Sequence, residues 1–158
     1  MQKVLFTEKE CLLILDSIKN SVGTSDLDIK YRKYKEWLIV DKNVLDFILD
    51  RLKIFDVEKI KEGRILRYES GCFFDKHVDT WEKYPHRYKT VVIQLSNETD
   101  YEGGVMTYGD EIFNKKIGNS VIFEGTVVHG MDKIINGTRY AFVIWLERSD
   151  FGIKKVVV

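Results

Sequence analysis

Hydrophobic side chains recur at helical spacing in two segments of the first third of the chain. The first segment follows a capping-box pattern at Thr7 and Glu10, and its apolar stripe consists of Cys11, Ile14, Leu15 and Ile18. The second begins after the capping residue Asp41, and its stripe consists of Leu45, Ile48, Leu49 and Leu52. A short strand is predicted between them, at residues 36–40. These patterns predict two helices, each with one apolar face.

From about Val57 onward the hydrophobic period falls to two, which is typical of strands. Glycine-containing turns punctuate this part of the chain at Gly103-Gly104, Gly109-Asp110 and Gly118-Asn119. Strands are predicted at residues 64–68, 73–77, 88–95, 105–108, 111–117, 120–124 and 138–146. Many short strands after two helices favour a mostly β fold, a sandwich or jelly roll with the helices packed on one outer face.

No linker or internal repeat divides the chain. We therefore expect a single domain over residues 1–158, with a helical N-terminal part over about 1–55 and a jelly-roll core over about 57–148. Residues 154–158 are expected to form a tail or an edge strand. At 158 residues and 44% hydrophobic composition, the chain is long enough for one substantial core.

Charge and cysteine content limit the expected binding partners and cellular location of the protein. Lys and Arg number 25, and so do Asp and Glu, so no basic surplus indicates a nucleic-acid or membrane partner. The N-terminus becomes charged too early for a signal peptide, and no apolar run is long enough to span a membrane. We expect a cytoplasmic protein in which Cys11 and Cys72 remain thiols.

Candidate metal ligands lie at and after the predicted strand 73–77. His77 and Asp79 are two residues apart, so on an extended strand their side chains point the same way. His129, brought back by the fold, would complete two imidazoles and one carboxylate on one side of a metal. This ligand set leaves positions open for a co-substrate and O₂, which suits a non-haem Fe(II).

Arg139 is a second candidate, on the last long predicted strand. Alternation places Arg139, Ala141, Val143 and Trp145 on one face of that strand, and on the strand 88–95 it groups Thr90, Val92 and Gln94. Both faces of the last strand are otherwise apolar, so Arg139 needs a partner, since an unpaired buried charge is costly. A bound dicarboxylate is one natural partner, through parallel charge-assisted hydrogen bonds. A neighbouring carboxylate such as Glu124 is another.

Across about residues 64–146, the chain resembles the 2-oxoglutarate- and Fe(II)-dependent oxygenases of the prolyl-4-hydroxylase-like branch. The matching motifs are Tyr68-x-x-Gly71-x-x-Phe74-x-x-His77-x-Asp79, Arg87-x-x-Thr90-Val-Val-Ile-Gln-Leu95, Tyr101-Glu-Gly103-Gly104, Gly118-Asn-Ser-Val-Ile-Phe123, His129-Gly130 and Gly137-Thr-Arg139 with Trp145. Each motif alone is common, but their order and spacing together are specific to this family. The resemblance implies a double-stranded β-helix, the jelly roll of this family.

The resemblance also implies a chemistry and a set of roles. His77, Asp79 and His129 would hold Fe(II), with 2-oxoglutarate and O₂ as co-substrates and ascorbate as a supporting reductant. Arg139 would anchor the distal carboxylate of 2-oxoglutarate, assisted by Tyr68 and Thr90. The implied activity is a dioxygenase that hydroxylates a substrate C–H bond while 2-oxoglutarate is converted to succinate and CO₂.

The substrate is less clearly indicated. Residues 80–88 follow Asp79 directly and carry Trp81 and Tyr84, which makes this loop a candidate substrate wall or lid, with Gln94 and Trp145 as further candidate contacts. The first expectation is a peptidyl residue, with proline as one option. A free amino acid or other small molecule is the alternative, and a non-catalytic binding protein is a third. Gln94 in place of a tyrosine, Arg139 in place of a lysine and the pair Val105-Met106 depart from well-known prolyl hydroxylases and leave this question open.

Overall fold

A computed structural model of the chain describes residues 2–152, so the expected tail at 154–158 lies outside the described residues. The two α-helices are α1 (Glu8–Asp16) and α2 (Lys42–Leu52). The strands are β1 (Gln2–Val4), β2 (Ser25–Ile29), β3 (Arg32–Ile39), β4 (Gly63–Tyr68), β5 (Phe73–His77), β6 (Lys89–Gln94), β7 (Tyr101–Gly103), β8 (Met106–Tyr108), β9 (Glu111–Ile112), β10 (Asn119–Glu124), β11 (His129–Met131), β12 (Ile134–Gly137) and β13 (Arg139–Leu146). Short 3₁₀ turns occupy Lys53–Phe55, Glu98–Asp100 and Arg148–Asp150.

Both helices begin where the sequence predicts. Thr7 and Glu10 form the full capping box, each side chain accepting from the other residue's backbone N–H. The Asp41 carboxylate accepts from the backbone N–H groups of Asn43 and Val44 at the start of α2. In residues 2–152, no helix is long and apolar enough to cross a membrane.

The strands form one large antiparallel sheet that curls into a double-stranded β-helix, the predicted fold class. Neighbouring strands run in the order β1-β10-β6-β13-β4-β3-β5-β11-β8-β9, with β2 on the free side of β3 and a separate pair β12-β7. Because the sheet curls, strands near its two ends face each other across an inner core.

Two apolar clusters fill the molecule, one on each side of β6 and β13. The helix-side core joins α1 and α2 to the outer sheet face and includes Ile14, Ile48, Ile93, Phe142 and Ile144, all at most 2% exposed. The inner core includes Leu66, Val92, Met106, Val121 and Ala141. The helices therefore cover one outer face, as predicted.

Strand parity is confirmed on the last long strand. Its odd-numbered residues, Arg139, Ala141, Val143 and Trp145, line the inner cavity, whereas Phe142, Ile144 and Leu146 belong to the helix-side core. On β6, Thr90 and Val92 line the same cavity, and Val91 and Ile93 face the helices. Each strand thus serves a different region with each face.

The N-terminal part is less helical than expected. A hairpin of β2 and β3 occupies residues 25–39, where only a short strand at 36–40 is predicted. Two cross-strand ion pairs match its register: Asp26 lies opposite Lys35 with 3.6 Å between charged atoms, and Asp28 opposite Lys33 with 3.9 Å. Complementary charges facing each other favour this pairing, and they are a weaker sequence pattern than an apolar stripe.

The strand predicted at 111–117 is also wrong in extent, since β9 contains only Glu111 and Ile112. The Asn114 side chain accepts from the backbone N–H of Lys116, and Gly118 has a φ of 82°. A side-chain-capped turn followed by a left-handed glycine ends the extended backbone here. Strands β7, β11 and β12 are too short to produce a clear period-two pattern and are not predicted.

Candidate metal centre

Two neighbouring strands bring the three candidate ligands together. His77 is the last residue of β5 and lies directly opposite His129, the first residue of β11. Asp79 follows β5, with its backbone N–H bonded to the carbonyl of Gly125 at 2.8 Å. The Asp79 carboxylate oxygens lie 3.3 Å from Nε2 of His77 and 3.3 Å from Nε2 of His129. All three ligand atoms lie within 4.8 Å of one another, close enough to share one metal ion.

Both imidazoles are oriented by backbone carbonyls. Nδ1 of His77 lies 2.7 Å from the carbonyl oxygen of Asp75, and Nδ1 of His129 lies 3.0 Å from that of Val127. A carbonyl only accepts hydrogen bonds, so the proton of each neutral ring sits on Nδ1 and Nε2 is left with its lone pair. Backbone acceptors of this kind are the usual partners of metal-binding histidines. Two imidazole nitrogens and one carboxylate form a ligand set that fits a non-haem Fe(II).

The site electrostatics keep Asp79 anionic. Burial alone would raise the pKa of the Asp79 carboxyl, but hydrogen bonds from His129, His77 and Thr90 hold it well below its ordinary value. Burial lowers the pKa of His77, and this effect is outweighed by hydrogen bonds with Asp79 and the Asp75 carbonyl, so the net shift is upward. Nε2 of each histidine can donate to this carboxylate only when the ring carries a second proton, because Nδ1–H already bonds a backbone carbonyl. A metal ion would replace those Nε2 protons and stabilise the carboxylate in their place.

Thr90 contacts one of the candidate metal ligands. Its Oγ1 donates to Oδ2 of Asp79 at 2.6 Å, and the Thr90 and Asp79 side chains are 1% and 4% exposed, respectively. The hydroxyl is therefore aimed at the candidate metal ligand. Thr90 does line the cavity that holds Arg139, but the observed bond indicates that it orients the carboxylate.

Arg139 lies in the same cavity as the three candidate ligands and is 1% exposed. Its Nε donates to Oε1 of Gln94 at 3.0 Å, and its Nη1 and Nη2 face the sulfur atoms of Met131 and Met106 at 3.2 and 3.9 Å. None of the ion pairs within residues 2–152 includes Arg139, and Glu124 is exposed. A buried guanidinium with no acidic partner among those residues can bind an anionic ligand, and a carboxylate has the geometry to match its planar fork.

Tyr68 lies opposite Arg139 in the β4–β13 register, 2% exposed. The Arg139 guanidinium lies 5.5 Å from the Tyr68 ring centroid. Burial raises the pKa of the Tyr68 phenol well above its ordinary value, so its hydroxyl stays protonated and able to donate. Apolar side chains form much of the remaining cavity wall, among them Phe74, Val92, Ala141 and Val143.

The four candidate substrate contacts lie in different places. Trp145 lines the cavity, whereas Trp81 and Tyr84 line an adjoining open groove, with 5.9 Å between their ring centroids. Gln94 is fully buried behind Arg139 and lines neither, so direct contact with a substrate, as expected from the sequence, does not fit its position.

The adjoining groove includes residues that the sequence did not single out. Arg32 lines both the groove and the cavity, and so does His77, which joins the two spaces. Tyr31 lies on the groove and is 59% exposed. Both residues belong to the β2–β3 hairpin region. Their place near the metal ligands depends on β3 pairing with β5, which no local sequence pattern indicates.

A jelly roll whose inner cavity combines two histidines, a carboxylate and a buried arginine has the site architecture of a metal-dependent oxygenase. The chain belongs to the 2OG-Fe(II) oxygenase superfamily, whose family model matches residues 63–147. This match contains His77, Asp79, His129 and Arg139. Fe(II) and 2-oxoglutarate are accordingly the cofactors that the family and the site indicate.

Individual relatives agree with this assignment. A PKHD-type hydroxylase of Parvibaculum lavamentivorans is 28% identical over 120 residues, covering 65% of this chain and 53% of that protein. The chain spans about half the length of the curated relatives it matches. Among solved structures, a Pseudomonas putida prolyl-4-hydroxylase shares the fold with a TM-score of 0.71 at 17% identity, covering 94% of this chain and 91% of that one. A Trichoplax adhaerens prolyl hydroxylase, solved with a peptide fragment of the hypoxia inducible factor oxygen degradation domain, has a TM-score of 0.69 at 17% identity, covering 94% and 83%.

Proposed function

We propose that the protein is an Fe(II)- and 2-oxoglutarate-dependent dioxygenase that hydroxylates a substrate C–H bond. One observation carries this proposal: the three candidate metal ligands share a cavity with Arg139, a buried cation that has no acidic partner within residues 2–152. A metal hydrolase would need the ligands but not the arginine. A dicarboxylate co-substrate needs both, one carboxylate end at the metal and the other at Arg139.

Each cavity residue has a proposed task. His77 and His129 would bind the metal through Nε2, and Asp79 through its carboxylate, which Thr90 orients. Arg139 would hold the distal carboxylate of 2-oxoglutarate, with the neutral Tyr68 hydroxyl donating to the same end. Bound Fe(II) and 2-oxoglutarate would supply O₂ activation coupled to decarboxylation. The apolar wall of Phe74 and the β13 residues would exclude water from that chemistry.

We further propose a peptidyl residue as the substrate, with proline as the first candidate. The groove beside the metal ligands is open and carries the aromatic side chains of Tyr31, Trp81 and Tyr84, which suit an extended chain laid across them. Arg32 and His77 join this groove to the cavity. The related Trichoplax fold, which binds a peptide, supports the same assignment. Residues 80–88 would then form one wall of the substrate site.

We propose that residues 1–158 act as a single oxygenase domain. The helix-side core supports this, because one continuous cluster includes Phe6, both helices and strand residues as far along as Leu146. A helical part without the sheet would leave Ile14, Ile48 and Leu52 exposed.

The chemistry is tested by anaerobic absorbance of metal-stripped protein, titrated with Fe(II) and then with 2-oxoglutarate. The visible charge-transfer band of the chelated co-substrate should form in the wild type, vanish in His129→Ala and require far more 2-oxoglutarate in Arg139→Ala. His86→Ala is the matched control, because His86 is an exposed loop histidine. A folded wild-type protein without this band would refute the proposal and favour a binding protein on this fold.

The substrate class is tested by succinate release above the uncoupled background, measured in parallel on a peptide array and on a panel of free amino acids. Stimulation by proline-containing peptides would support the peptidyl assignment. Stimulation by free amino acids alone would favour the small-molecule alternative, with the same cofactor chemistry.

A further inference from the structure

Gln94 contacts the buried arginine at a defined end of its side-chain amide. It lies on β6 opposite Ala141 of β13 and is 0% exposed. Its Oε1 accepts from Nε of Arg139 at 3.0 Å. Nε is the guanidinium nitrogen that does not belong to the terminal fork, so this bond does not occupy Nη1 or Nη2. The methionine sulfurs that Nη1 and Nη2 face are weak acceptors, which a ligand carboxylate would outcompete.

The orientation of the amide is determined by its other end. Nε2 of Gln94 donates to the Tyr101 hydroxyl at 3.0 Å and approaches the backbone carbonyl of Lys115 at 3.4 Å. A backbone carbonyl can only accept, so the NH₂ group must face Lys115, and the amide oxygen must face Arg139. Lys115 in turn donates to the carbonyl of Gly103 at 2.6 Å and lies 4.8 Å from the Tyr101 ring centroid.

Within the part of the chain that the structure describes, the contacts of Arg139 orient its guanidinium without neutralising its charge. Gln94 supplies a neutral oxygen, and the other two nitrogens face the methionine sulfurs, which are weak acceptors. The rings of Tyr68 and Phe113 lie 5.5 and 5.8 Å from the guanidinium carbon. A glutamate at position 94 would have nearly the same shape and would accept the same hydrogen bond, but it would also supply the missing counter-charge.

We propose that Gln94 is a positioning residue that orients the guanidinium of Arg139 while leaving its charge uncompensated, and that it thereby sets the selectivity for a 2-oxo acid with a distal carboxylate. This inference rests on the proposed function, since it assigns a determinant of co-substrate choice within the same cavity. A neutral acceptor keeps the full attraction of Arg139 for the incoming carboxylate. An acidic acceptor would pair with Arg139 inside the protein and weaken the attraction of the guanidinium for the ligand.

The test compares two ligands of equal chain length. 2-Oxoglutarate has the distal carboxylate, and 2-oxopentanoate has a methyl group in its place. Dissociation constants for both are measured by anaerobic calorimetry on metal-loaded wild type and Gln94→Glu. The selectivity ratio is the dissociation constant of 2-oxopentanoate divided by that of 2-oxoglutarate. This ratio should fall by at least about tenfold in Gln94→Glu, which is the effect of losing about one charge-assisted hydrogen bond. Most of the change should come from weaker 2-oxoglutarate binding.

Asn119→Asp is the matched control. Asn119 is another buried amide, 2% exposed, and its side chain bonds Gln2 and Asn114 outside the cavity. The same amide-to-acid change there should leave the ratio at the wild-type value. Tyr101→Phe is a milder variant that removes the hydroxyl orienting Gln94, and it should raise KM for 2-oxoglutarate a few-fold with kcat retained.

The possible outcomes separate this inference from the function it rests on. If folded Gln94→Glu has the same ratio of dissociation constants as the wild type, the inference about Gln94 is overturned. If that variant does not fold, an unchanged KM in Tyr101→Phe would overturn it instead. Wild-type protein that binds neither 2-oxo acid would refute the proposed function itself, whatever the variants do.

Discussion

Replacing Thr90 by valine distinguishes two roles for its hydroxyl. The sequence resemblance implies a contact with 2-oxoglutarate, whereas the structure has Oγ1 donating to Oδ2 of Asp79 at 2.6 Å. Thr90→Val keeps the shape of the side chain and removes only the donor, and Thr90→Ser keeps the donor. If the observed bond orients the carboxylate, Thr90→Val should weaken metal binding more than it weakens 2-oxoglutarate binding.

The size of the effect follows from burial and charge. Both side chains are less than 5% exposed, so solvent does not screen the bond or replace it. A hydrogen bond to a buried charged group contributes about 1.5–3 kcal/mol to stability. Loss of a partner that orients a metal ligand typically weakens metal binding about 10- to 100-fold. We therefore expect Thr90→Val to lose about 1.5–3 kcal/mol of unfolding free energy without metal and to bind Fe(II) at least about tenfold more weakly.

The assay is an anaerobic Fe(II) titration, combined with urea unfolding of the metal-free protein and a 2-oxoglutarate titration at saturating metal. Thr90→Ser should restore most of the metal affinity. Unchanged Fe(II) binding together with weakened 2-oxoglutarate binding would refute this reasoning and return Thr90 to the co-substrate contact.

Three further changes test other parts of the molecule. Trp81→Ala should leave 2-oxoglutarate affinity unchanged but raise the amount of succinate formed per hydroxylated product, because a wall of the groove is lost; full coupled turnover on the true substrate would end the lid hypothesis. Burial raises the pKa of the Cys11 thiol to about 12, so iodoacetamide at about pH 8 should modify Cys11 only in unfolded protein. Peptide mass spectrometry measures this, and equal labelling of native protein would contradict it. A hydrogen bond from Arg51 lowers the pKa of Glu10, so the stability advantage over Glu10→Gln in urea unfolding should be full at neutral pH and disappear as the pH falls through the lowered pKa. A difference that does not vary with pH would contradict that linkage.

Residues that share a local pattern could be predicted from the sequence. His77 and Asp79 are two apart, and the faces of β13 follow from alternation alone, so the grouping of Arg139 with Ala141 and Val143 needed no knowledge of the fold. Helix starts were equally accessible, because the cap at Thr7 is completed within three residues. These features depend only on neighbouring chain positions.

Contacts between distant segments could not be predicted in the same way. The bond from Thr90 to Asp79 and the bond from Arg139 to Gln94 depend on how the sheet curls and on which rotamer each side chain adopts. The β2–β3 hairpin was missed because its pairing is indicated by opposed charges rather than by apolar alternation. The sequence marks Gln94 as unusual, but only the structure shows that it faces the arginine and is fully buried.

The alternation along β13 has a consequence for how this protein tolerates change. Alternate residues of that strand have different roles: one face lines the cavity, and the other packs against the helices. The same eight-residue strand therefore contributes to the cavity through every second residue and to the helix-side core through the residues between them. The cavity face can diversify toward new ligands while its neighbours hold the helices in place. A single-residue insertion or deletion, in contrast, would move each following side chain to the opposite face and disrupt the cavity and the helix-side core together.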